Sequence, residues 1–142
     1  MNILYPMFGM IFLSCLIVII LYLSRIMAIY KVKRLGGSLE AARHADEFRS
    51  KFPKPLRYIT DNYNHIFEQP TLFYATVIYI FLMGHSDNLH VILAWSYVGL
   101  RAIHSIIQMT FNNVSWRVVF FFLSGLCLIG MILREFLFIF LG

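Results

Sequence analysis

The chain predicts an all-α membrane protein, a bundle of four transmembrane helices running up and down. Three observations predict it. Hydrophobic residues make up 60% of the 142 and charged residues only 13%, with a mean hydropathy of +0.74; a soluble domain is nearer half apolar and a quarter charged. Four apolar stretches, at about 7–34, 55–84, 89–110 and 117–140, are each long enough to cross a hydrocarbon core. Short polar turns separate the last three, which makes neighbouring spans antiparallel.

The first span holds 18 residues, 7–24, without a charge. No basic segment precedes it and no small-residue cleavage site follows, so it reads as a retained helix and not a removed leader. It continues past Arg25 to about Arg34 and stops at Gly36 and Gly37, a pair suited to a C-terminal cap. From Ser38 a short amphipathic stretch carries an N-cap candidate and good helix formers, the pattern of a surface helix or ordered loop. Pro53 and Pro55 end it, and Pro55 suits the first turn of the next helix.

That second helix, 55–84, would be about 45 Å long, against a hydrocarbon core of about 30 Å. Its first three turns must project from the membrane, which gives Asp61 and Asn64 polar surroundings. Pro70 lacks an N–H inside this run, so a kink is expected just beyond Glu68. Residues 84–88 and 111–116 form the two later turns, and Cys15 and Cys127 lie in apolar runs as small core residues. The whole chain, 1–142, reads as one membrane domain with a basic loop at about 35–54.

Charge sets the orientation. Residues 31–61 hold eight Lys/Arg, against none in the first six residues and none in 84–88. The positive-inside rule puts the basic loop in the cytoplasm and both termini on the other side. Beside a span, such a patch reads as orientation signal and lipid-headgroup contact, not as a nucleic-acid surface. On this topology the Asn113-Val114-Ser115 sequon faces the cytoplasm, away from glycosylation.

Span three carries a polar stripe: Tyr97, Arg101, His104, Ser105 and Gln108 recur at i, i+4, i+7, i+8 and i+11. Intramembrane charges face a bundle interior or a wet cavity. Arg101, Glu68, Arg25 and Arg117 all fall towards the cytoplasmic leaflet, and the expected partner of Glu68 is Arg101. That pair can be structural, with His104 and Gln108 as interhelical hydrogen-bonding groups, or it can belong to a site. Three arginines against one carboxylate leave such a site net positive and suited to an anion. Arg134 and Glu135, at the far end of span four, are expected to form a local or intersubunit pair. Phosphate loops, paired catalytic carboxylates, zinc spacing and Ser-His-Asp patterns are missing from the sequence, and no span shows the paired breaks of a transporter.

Two stretches carry a family resemblance. NHIFEQPTLFYA resembles the Asn-x-x-Glu segment, followed by Pro and Phe, that opens span two in the membrane-associated proteins in eicosanoid and glutathione metabolism, the MAPEG family. LRAIHSIIQMTFNNVSWR resembles that family's Arg-x-x-His segment with an arginine thirteen residues later, here Arg101, His104 and Arg117. The resemblance covers the whole chain and is closest to the bacterial branch, which implies the bacterial inner membrane and not the endoplasmic reticulum. It implies a homotrimer that binds glutathione between subunits, facing the cytoplasm, and acts on lipophilic small molecules. Glu68 would take the glutathione amino group, Arg101 would hold Glu68 or a carboxylate, and His104 would hold the glycyl end. Arg117 would be the catalytic residue near the sulfur, with Arg25, Asn64, His65 and Gln108 completing the binding set. Asp61, His65, Gln108 and Val118 stand where catalytic relatives carry Arg, Asn, Tyr and Ser. Two functions follow: a glutathione-dependent transferase or peroxidase, or a non-catalytic membrane scaffold or subunit of a larger complex.

Overall fold

The computed structural model describes residues 2–34 and 54–141, apart from the side chains of Val32, Pro55, Leu56 and His65. The amphipathic stretch expected from Ser38 and the cap at Gly36 and Gly37 lie outside the described residues. Among the described residues five helices follow in order: α1 (Leu4–Arg34), α2 (Lys54–Glu68), α3 (Pro70–Met83), α4 (Asn88–Met109) and α5 (Val114–Leu141). With α2 and α3 taken as one broken span, four of them have the length and apolarity to cross a membrane, and the expected four-span bundle is the fold.

Local chemistry explains where the ends differ from the expected spans. α1 starts at Leu4 because the Asn2 carboxamide oxygen accepts from the Leu4 N–H at 3.0 Å. Pro6 then sits in the first turn, where an N–H has no intrahelical acceptor. α5 starts at Val114 because the Asn113 side-chain oxygen accepts from Ser115 and Trp116 N–H at 3.1 and 3.4 Å, so the sequon asparagine is a helix cap. The expected kink falls at Gln69, which keeps helical angles (φ −75°, ψ −37°) with Pro70 opening α3. Thr71 Oγ1 donates to the Phe67 carbonyl at 3.0 Å beside the bond that Pro70 cannot make. α3 ends at Gly84, whose φ of +73° is a left-handed cap that a side chain would strain.

α4 is the central helix. Half of its apolar window is buried, against 17% of that of α5, and it packs on α1, α2 and α5. Close approach of α1 is possible at Gly9, where an added Cβ would come within 3.1 Å of the Trp95 ring. The apolar core runs through Met10 and Ile17 of α1, Phe73, Val77 and Ile80 of α3, Val91, Ala94 and Tyr97 of α4, and Leu128 and Met131 of α5. Phe73 stacks on Tyr97 with centroids 4.4 Å apart. Outside this core the surface is Leu, Ile and Phe, while Asn62, His90, Arg101, His104, Gln108 and Glu135 are buried. Polar inside and apolar outside is the distribution that a bilayer selects.

Candidate functional site

The two ends of the bundle carry two separate polar clusters. At the end where α2 meets α3 and α4 turns into α5, the polar stripe of α4 is buried throughout: Tyr97, Arg101, His104, Ser105 and Gln108 are each 7% exposed or less. The 3.6-residue period holds them on the side that meets α2 and α5. Arg101 places its guanidinium 5.7 Å over the Phe121 ring, and the charge of Glu68 acts on it.

His104 bridges α4 to α5, with Nδ1 3.0 Å from the Arg117 carbonyl oxygen and Nε2 3.1 Å from the Gln108 carboxamide. Arg117 lies in the first turn of α5 and reaches back over the connecting turn. Its Nη1 donates to Asn112 Oδ1 at 2.6 Å. Asn112 holds a left-handed φ of +48°, a conformation asparagine tolerates better than most residues. No carboxylate among the described residues forms an ion pair with Arg117.

These side chains open on a groove of about 380 Å³ lined by Glu68, His104, Val114, Arg117, Val118, Phe121 and Phe122. That is within the size range of small-molecule sites, roughly 300–1,000 Å³. The walls are chiefly apolar, with one carboxylate, one imidazole and one guanidinium among them. An anion is suited to Arg117 and a cation to Glu68, and apolar matter is suited to the Phe121 and Phe122 side. Of the residues expected at the site, Glu68, His104 and Arg117 therefore meet around one groove. Arg101 and Gln108 stand behind it, buried. Arg25 and Asn64 are exposed on α1 and α2 and do not line it. The His65 side chain is outside the described residues.

Two polar residues of this cluster escaped sequence reading. Asn62, only 1% exposed, faces α4 from α2, and Asn112 holds Arg117. Neither belongs to a periodic pattern, and the one signal available was a second amide next to each residue that was noticed, Asn64 and Asn113.

At the opposite end, Arg134 and Glu135 do not form a local pair with each other. Consecutive helical residues point about 100° apart, and each reaches a different residue of the turn before α4. Arg134 forms an ion pair with Asp87. Glu135 Oε2 accepts from His85 Nδ1 at 2.8 Å, and Oε1 lies 3.4 Å from Nε2 of the fully buried His90. This cluster ties the α3–α4 turn to α5.

Asp87 also caps α4, accepting from the His90 N–H at 2.8 Å. Partial burial pushes its carboxyl up, but the His90 N–H bond and the charges of His90 and Arg134 outweigh this and hold it below the ordinary 3.8. A value lower in the folded than in the unfolded state gives stability that is complete above about 3.8 and lost as the pH falls below it. The expected result is a thermal midpoint that holds down to about pH 4 and is lower at about pH 3, with a smaller drop in Asp87→Asn. That variant keeps a capping oxygen but cannot titrate, and an unchanged slope in it would place the acid-labile group elsewhere. Asp87→Ala should cost about 1 kcal/mol at neutral pH through the lost cap.

No curated protein and no solved structure matches this chain. The model of the MAPEG family matches it over residues 9–137, nearly the whole length, on a frame of four apolar helices. The chain belongs to the MAPEG family and is a multi-pass integral membrane protein.

Proposed function

We propose that the protein is a glutathione-dependent transferase or peroxidase that acts on lipophilic electrophiles at the cytoplasmic side of the bilayer. The observation that carries the reading is Arg117, a guanidinium on a mainly apolar groove, held by neutral carboxamides and by no described carboxylate. A cation with no ion-pair partner among the described residues, beside apolar walls, attracts an anion that water solvates poorly there. Glutathione would supply a thiol nucleophile, an amino group and two carboxylates. The groove supplies a carboxylate, Glu68, for the amino group and a guanidinium, Arg117, for an anionic end, so the donor set fits. Arg117 beside a thiol favours the charged form and lowers its pKa. Phe121 and Phe122 line the apolar side, where an electrophile dissolved in lipid can enter. Arg101, buried behind the groove, adds positive charge without reaching the groove surface. Family membership supports the same chemistry and the trimeric assembly we adopt for it, with the basic loop in the cytoplasm and the bacterial inner membrane as the site.

Titration of the purified protein with glutathione tests this. Saturable binding is expected by about 1 mM, where half-saturation corresponds to roughly 4 kcal/mol, with the ultraviolet absorbance of a thiolate appearing at neutral pH. Glu68→Gln should weaken binding about tenfold or more, since a charge-assisted hydrogen bond is worth roughly 1.5–3 kcal/mol. If wild type shows neither saturation nor thiolate, the scaffold reading replaces the enzyme.

A further inference from the structure

The amide that matters on α2 is Asn62. It is 1% exposed, and it meets α4 at Gln108, which is 0% exposed. His104 settles how the Gln108 carboxamide must point. Its Nδ1 lies 3.0 Å from a carbonyl oxygen, which only accepts, so Nδ1 carries a proton. The neutral ring then presents a lone pair at Nε2, and the group 3.1 Å away must donate. That places the Gln108 amide nitrogen towards His104 Nε2 at 3.1 Å and Asn62 Oδ1 at 3.3 Å. The Gln108 oxygen then accepts from Arg117 Nη2 and from the Asn62 backbone N–H, both at 3.3 Å.

Arg117 Nη2 and the Asn62 backbone N–H, each 3.3 Å away, can only donate and so favour the carboxamide oxygen on their side, while the Asn62 side-chain oxygen accepts from the amide. With the carboxamide turned the other way, oxygen would face oxygen and N–H would face N–H. One asparagine on α2 thus joins His104 in holding the end of a glutamine on α4 that meets an arginine on α5. Arg117 is then held at two nitrogens by two neutral oxygens, Asn112 Oδ1 on Nη1 and Gln108 Oε1 on Nη2.

We infer that Asn62 is a positioning residue for the groove. Through Gln108 it fixes the Arg117 guanidinium, and by turning the Gln108 amide to His104 Nε2 it reinforces the Nδ1 proton that the Arg117 carbonyl accepts. Asn62 and Gln108 touch no groove-bound molecule; they act through Arg117 and His104. The thiolate part of this inference rests on the glutathione reading, whereas the His104 proton position does not. A purely structural role for Asn62 would change stability and leave both the His104 tautomer and thiolate formation unmoved.

The experiment uses the full chain in detergent with nitrogen-15 in its histidines, the His104 signals being assigned by their loss in His104→Asn. Wild type should show the Nδ1–H tautomer at neutral pH. Asn62→Leu should show a mixture of tautomers, and Asn62→Asp, which keeps an acceptor for the Gln108 amide, should restore the wild-type pattern. In parallel, the pH midpoint of glutathione thiolate absorbance should move up by about one unit, or tenfold in proton affinity, in Asn62→Leu. A wild-type Nε2–H tautomer overturns the inference without needing any variant to fold. So does a wild-type tautomer pattern in Asn62→Leu, or, where wild type forms thiolate, an unmoved midpoint. If wild type forms no thiolate, the glutathione reading fails, and the tautomer arm alone decides the role of Asn62.

Discussion

Glu135→Ala is expected to destabilise the detergent-solubilised protein by about 3 kcal/mol, read as a fall of roughly 10 °C in thermal midpoint. The carboxylate is 6% exposed and sits between His85 of the opposite turn and His90 of α4. His90 is fully buried and aims Nδ1 at the His85 carbonyl at 3.1 Å, so its ring is fixed in place with Nε2 turned to Glu135. Removing the carboxylate takes from His85 its acceptor at 2.8 Å and opens a void beside the buried His90 ring. Water that would satisfy His85 in a soluble protein is scarce at the end of a membrane bundle. Glu135→Gln keeps an acceptor for His85 and should cost about 1 kcal/mol. Two results would tell against this account: an Ala variant as stable as wild type, or a Gln variant as damaged as Ala. The second would mean that charge, and not hydrogen bonding, holds the turn.

The fold was legible because bilayers impose long runs and simple periods. Residues 7–24 without a charge, and Pro70 with its missing N–H, suffice to place a span and a kink. The stripe from Tyr97 to Gln108 was equally readable, since five polar residues on one face of an apolar helix must be buried. What escaped was contact between distant segments. Glu135 meets His85 and His90 across some 45–50 positions of sequence, and nothing local in either segment announces the other. The adjacent opposite charges of Arg134 and Glu135 suggested a local pair, but the helical twist sends them to different partners. Gln108 matched a position expected to touch ligand, yet its complete burial puts it behind Arg117. Small amides such as Asn62 and Asn112 carry no periodic or charge signal, so only the packed helices reveal which are used.

Arg117→Leu is the largest functional effect expected, a loss of about 10²–10³-fold in kcat/KM for glutathione with a lipophilic aryl halide. Arg117 is half-buried, and among the described residues its side chain is held by two carboxamide oxygens, so removing it costs little packing. The variant should unfold within a few degrees of wild type. Loss of rate with the fold intact is then a loss of charge at the groove. Arg117→Lys separates charge from geometry. Lysine keeps the cation but has no planar fork, and cannot engage Asn112 and Gln108 in parallel as the guanidinium does. It should recover part of the rate, ending about tenfold below wild type, because a less fixed cation stabilises a thiolate less well. A Leu variant with wild-type kcat/KM would remove Arg117 from the chemistry. A Lys variant as slow as Leu would assign the effect to the two-point hold and not to the charge, which makes the orientation set by Asn62 and Gln108 the feature on which catalysis depends.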